Sequence, residues 1–191
     1  MSKPNAPDEL VIATSRKWLE QAVIGLNLCP FAKKPYYKQQ LRFCVSHANH
    51  LDHFLDQLEQ EIRLLLHTPA EELETTLFIE PVLFQSFDEF LNIVELSEQI
   101  LVENQAIGII QIAPFHPKFQ FADTDADDIS NYTNRSPYPT LHLIRESSID
   151  QAVAAFPDAA QIYQRNIALL QQMGINGWEK LGITYPGNEQ S

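Results

Sequence analysis

The chain has 191 residues, 45% hydrophobic and 20% charged, a globular composition with enough material for one well-buried core. Against 25 acidic residues stand 13 basic ones, and the formal net charge of -12 is expected to repel nucleic acid and anionic membrane surfaces. No apolar run approaches the roughly 18 to 20 residues that cross a bilayer. The opening MSKPNAPDEL is polar and carries no signal-peptide pattern. Cys29 and Cys44 are too few for a disulfide framework or a thiolate zinc cage. These features lead us to expect a cytoplasmic protein of one domain over residues 1–191, with reduced cysteines and with loose ends at 1–7 and 185–191.

From Glu9 to Leu28, Leu10, Val11, Trp18, Ala22, Val23 and Leu26 recur at helical spacing, and Cys29-Pro30 ends that helix. The following Lys33, Lys34, Lys38 and Arg42 interleave with Phe31, Tyr36, Tyr37 and Phe43. This pattern suits phosphates and planar rings, and equally a solvated loop entering a strand. Leu41 to Ser46 alternates as a half-buried strand does, and Asn49 to His67 returns to helical period until Thr68-Pro69. Thr76 to Pro81 reads as a second strand. Ser86 and Glu89 stand in capping-box spacing at the head of a helix that runs to Asn104.

Ala106 to Ala113, almost continuously apolar, predicts a central strand buried on both faces. Thr140 to Ile144 is a fourth strand, and Ser148 with Gln151 opens another helix. A turn at Phe156-Pro157-Asp158 starts a last helix that Gly174 stops. The order predicts an α/β or α+β fold, a single domain with a mixed, mostly parallel sheet of about four strands packed with helices.

Between the third and fourth strands lies a connection of about 25 residues, longer than compact domains ordinarily carry without a function. In open sheets, ligands gather beyond the carboxyl ends of parallel strands. That rule brings His47, Glu80 and His116 to one edge. A parallel fourth strand adds the Arg145 region there; an antiparallel one adds Tyr138 to Leu141. His116 and His142 are the candidate proton carriers. Arg135, set in Asn134-Arg135-Ser136, is the candidate clamp for a carboxylate or phosphate. Period two puts His142 and Arg145 on opposite faces, so they share a cavity only if the strand ends between them, and we expect that it does.

The D-x-D-x-D-D run at Asp123 to Asp128 fails as a helix-loop-helix calcium site, which needs glycine at Asp128 and glutamate at Asn134. His47, His50 and His53 drift off one helical face and make a poor metal triad. Cys29 stands at a helix C-terminus, where the dipole disfavours a thiolate, and is expected to serve packing. The six glycines are dispersed and form no P-loop, G-x-G-x-x-G or G-x-S-x-G. No cofactor and no oligomeric state can be read.

GLNLCPFA at Gly25 to Ala32, FHP at Phe115 to Pro117 and NYTNRSPYPTLHLIRE at Asn131 to Glu146 resemble a bacterial family catalogued as domain of unknown function 1415. The resemblance covers nearly the whole chain. It implies a bacterial, single-domain protein and supplies no catalytic roles.

The residues themselves suggest a cytoplasmic enzyme for a small anionic metabolite. Arg135 and Arg145 would hold the anion and His116 or His142 would move a proton, while Asp127, Asp128, Asn131, Asn134 and Ser136 orient either. The alternatives are a non-catalytic binding or regulatory domain, and a metal-dependent hydrolase that uses His116, His142 and loop carboxylates.

Overall fold

The computed structural model describes residues 7–155 and 159–186. The expected turn at 156–158 and most of both expected loose ends lie outside the described residues. Helix α1 (Asp8–Trp18) runs on into a π-helical segment (Leu19–Ile24). The chain then forms α2 (Lys33–Tyr37), β1 (Leu41–Val45), α3 (Leu51–His67), β2 (Thr75–Ile79), α4 (Phe87–Glu103) and β3 (Ile110–Phe115). A 3-10 turn (Ile129–Thr133), β4 (Thr140–Arg145), α5 (Glu146–Ala155) and α6 (Ala159–Glu179) complete it.

Strand order is β1-β2-β4-β3. Strands β1, β2 and β3 point the same way. Because β4 inserts antiparallel between β2 and β3, only the β1–β2 ladder is parallel. The sheet is therefore mixed as expected, but its pairing is mostly antiparallel. The reason lies in the connection. A parallel return requires a crossover, usually helical, over the sheet face, whereas residues 116–139 hold only the short 3-10 turn, and Phe115 pairs directly with Thr140. The chain leaves and re-enters the sheet at one edge.

Period two then assigns the faces. Cys44, Phe78, Ile110, Ile112, Leu141 and Leu143 face α3 and α4, where Phe54, Leu58, Ile62 and Phe90 are buried. Leu41, Phe43, Val45, Leu77, Ile79 and Phe115 face the other way, toward Trp18, Leu19, Val23, Leu170 and Trp178.

Several local expectations shift. β3 is an edge strand, not a central one: it starts at Ile110 after a turn in which Gly108 takes φ 78°, and Ile107 and Ile109 are exposed. Ser86 heads α4, but its hydroxyl makes no capping bond. Gly174, at φ 62°, breaks α6, yet helical turns resume because Trp178 buries its ring against Tyr132 at 4.9 Å. At Gly25 a Cβ would meet the Gln21 carbonyl oxygen at 2.4 Å, so the wide π turn specifically tolerates glycine there. No described helix is long and apolar enough to cross a membrane.

Candidate functional site

The loop 116–139 is ordered by its own polar side chains. Irregular backbone has no ladder to satisfy its amides and carbonyls, so side chains must do it. Buried Asn131 accepts through Oδ1 from the Phe121 amide (3.0 Å) and the Thr124 hydroxyl (2.8 Å), and donates through Nδ2 to the Asp125 carbonyl (2.8 Å). Asp128 caps the 3-10 turn through the Ser130 amide at 2.8 Å, and that amide holds its carboxyl below the usual range. Buried Ser136 donates to the Tyr138 carbonyl at 2.6 Å. The Asn134 carbonyl accepts from the His116 amide at 3.2 Å. Asp127 is exposed.

His116 is fully buried between the rings of Phe87 and Phe90. Its Nδ1 accepts from the Lys118 amide at 3.0 Å, so Nε2 carries the proton and donates to the Phe84 carbonyl at 3.0 Å. Both ring nitrogens are thus engaged. Burial above all, with the charges of Lys118 and Arg135 adding to it, holds its pKa below the ordinary value. The Phe84 carbonyl that it grips belongs to a residue at φ 56°, in a turn also held by buried Glu80, whose Oε1 accepts from the Val82 and Leu83 amides. Burial pushes the Glu80 carboxyl up, against the pull of those amides.

Arg135 lies over the Tyr132 ring at 4.5 Å and donates to the carbonyls of Phe119 (3.1 Å) and Ala126 (2.6 Å). It lines an open cleft of about 490 Å³ together with Lys118, Pro117, Ser86 and Asp88. His116 does not line this cleft, although its neighbours Pro117 and Lys118 do.

Strand β4 does not end between His142 and Arg145, so the expectation that it would is corrected: the two side chains take opposite faces. Nor does Arg145 reach the edge where His116 stands. An antiparallel β4 brings its last residue to Ile110, at the start of β3. There the buried Arg145 donates to the carbonyls of Leu65 (2.6 Å), Thr68 and Leu73 (3.0 Å). It closes the C-terminus of α3, where a cation suits the helix dipole. Burial lowers its pKa against the pull of Glu74 and Glu71.

His142 occupies a different environment, the floor of a cavity of about 430 Å³ on the sheet face away from α3 and α4. Leu41, Thr75, Leu77, Phe115 and Ile144 share that floor. Trp18, Leu19 and Val23, from the end of α1 and the π segment, form one wall; Cys29 to Ala32 with Lys34 and Pro35 form another; and Ser148, Ile149 and Gln151 of α5 close the side. The Nε2 of His142 lies 2.7 Å from the Thr75 hydroxyl, which lies 2.6 Å from the Leu143 carbonyl. Thr75 has one proton and the carbonyl can only accept, so Thr75 donates to Leu143 and accepts from Nε2–H of His142. Nδ1 keeps its lone pair and has no partner among the described residues. Burial pushes the pKa of His142 down to about 4.

Cys29 follows the turn after the π segment and belongs to this cavity's wall. Burial raises its thiol pKa, although the Phe31 and Ala32 amides favour the thiolate. Cys44 is pushed up to about 12 by burial and by Glu61. Among the described residues no three His, Cys, Asp or Glu side chains are grouped to share a metal ion.

Sequence reasoning found His142 but missed its surroundings: Trp18, Thr75 and the residues of α5. One signal was available. The three segments that carried the family resemblance all reach this cavity, through Cys29 to Ala32, Phe115, and His142 with Ile144. No match was found among curated proteins or among solved structures. A family model described as a protein of unknown function, DUF1415, matches residues 10–180, and the chain belongs to that family.

Proposed function

We propose that this chain binds a small, largely apolar molecule in the cavity above β2 and β4, with His142 as its polar contact. The observation that carries this reading is convergence: segments distant in sequence enclose a cavity of ligand size, about 430 Å³, lined by apolar groups and a few polar ones, as small-molecule sites are. Binding is favoured over proton transfer. A general base works best with a pKa near the operating pH, whereas His142 is held near 4 and His116 has no nitrogen to spare. Asn131, Asp128, Ser136 and Arg145, expected to touch a ligand, are better accounted for as supports of the backbone.

The test is a thermal-shift screen of apolar fragments against the wild type and Ile149→Trp, which fills the cavity from α5. Fragments should stabilise the wild type and lose that effect in the variant. Equal stabilisation of both proteins would place the ligand elsewhere.

A second reading, an anionic ligand in the open cleft, is favoured by the convergence of Arg135 and Lys118 there. Because Arg135 also braces the loop, Lys118→Gln is the cleaner variant. It should weaken stabilisation by phosphate or citrate if this reading is right, and leave it unchanged if it is wrong.

A further inference from the structure

We infer that the ligand of the His142 cavity is a neutral molecule, apolar over most of its surface, that presents a single hydroxyl donor to Nδ1 of His142. A phenol or an aliphatic alcohol fits this description. The inference rests on the binding reading above and specifies the chemistry of the same site.

The donor requirement follows from the hydrogen-bond chain beneath the cavity. The Leu143 carbonyl takes the only proton of Thr75, and Thr75 thereby takes Nε2–H of His142. The tautomer is set from below, and the remaining nitrogen is an acceptor. A ligand acceptor against Nδ1 would oppose lone pair to lone pair. A wholly apolar ligand would strip water from Nδ1 and leave it unpaired. Turning the tautomer around would require Thr75 to abandon the Leu143 carbonyl. Only a donor satisfies every group in the chain.

Neutrality follows from the lining. The charged side chains that reach the cavity among the described residues are Lys34 and Glu74, one of each sign, so the lining has no net charge to repay the desolvation of an ion. Burial keeps His142 uncharged, and Cys29 is held as a thiol. The rest of the lining is dominated by groups such as Trp18, Leu77, Phe115 and Ile144, which offer contact area and no ionic partner.

Three probes of one shape separate these features by isothermal titration calorimetry at pH 7: 4-propylphenol, its methyl ether 4-propylanisole, and 4-propylbenzoate. The phenol should bind roughly tenfold tighter than the ether, the value of one buried hydrogen bond, and the carboxylate should bind weakest. His142→Phe should erase the preference for the phenol while retaining binding of both neutral probes. Thr75→Val frees the tautomer and should narrow the gap between phenol and ether, and it serves in place of His142→Phe if that variant does not fold. Equal binding of phenol and ether to the wild type, or tighter binding of the carboxylate, overturns the inference. If Ile149→Trp abolishes that binding, the cavity reading still stands. Absence of binding by all three probes, or binding indifferent to Ile149→Trp, removes the cavity reading and the inference together.

Discussion

Replacing His142 by phenylalanine should flatten the acid limb of the protein's stability. The imidazole titrates near 6.5 when unperturbed, and burial in the cavity floor pushes it down to about 4. A histidine depressed in the folded state is protonated first in the unfolded chain. Its contribution is therefore fully present above pH 6.5 and is lost as pH falls toward 4. A shift of that size corresponds to roughly 3 kcal/mol at its limit, and part of the ring borders the cavity, so a loss of about 2 kcal/mol is the working figure. Phenylalanine keeps an aromatic ring in place, and Thr75 keeps its bond to the Leu143 carbonyl. Urea melts of wild type and His142→Phe from pH 7.5 to 4 measure the difference directly. His116, also depressed, contributes equally to both proteins and cancels. Parallel stability curves for the two would refute the burial-depressed titration of His142 in the folded state.

Arg145→Met should cost about 3 to 5 kcal/mol, since it strands the carbonyls that close α3, and it should lower Tm without altering ligand affinity per folded molecule. Calorimetry with a bound probe distinguishes this from loss of a ligand clamp. Asn131→Ala removes three bonds at once and should destabilise by about 2 to 3 kcal/mol. It should also speed proteolytic cleavage between 116 and 139, as read by mass spectrometry. Glu80 has its carboxyl raised above 4.5 by burial, so the folded state favours its proton and its ionisation costs stability as pH rises past 4.5. Glu80→Gln, which keeps an acceptor for the Val82 and Leu83 amides, should gain stability over wild type at pH 7 and lose that advantage at pH 4, as measured by chemical denaturation.

The local elements were legible in the order of residues, because their cause is local. Helix α3 follows from the spacing of Phe54, Leu58, Ile62 and Leu65, all buried, and β1 follows from the alternation of Leu41, Phe43 and Val45. Period two likewise made His142 and Arg145 face opposite ways, and the strand running through both kept them so. Position in the sheet was not legible: Ala106 to Ala113 is apolar enough for a central strand, yet β4 takes the central place because the loop 116–139 turns back on itself.

Nor could the loop's purpose be read from its composition. Asparagine, aspartate, serine, arginine and histidine are the residues that bind ligands, and they are equally those that satisfy an irregular backbone; Asn131, Asp128 and Arg135 do the latter. Which polar groups surround a cavity depends on contacts between segments far apart in the chain, and no local pattern records those. Folding brought Trp18, Cys29, Thr75, Phe115 and Ile149 around His142, engaged its Nε2 with Thr75, and left its Nδ1 without a hydrogen-bond partner among the described residues.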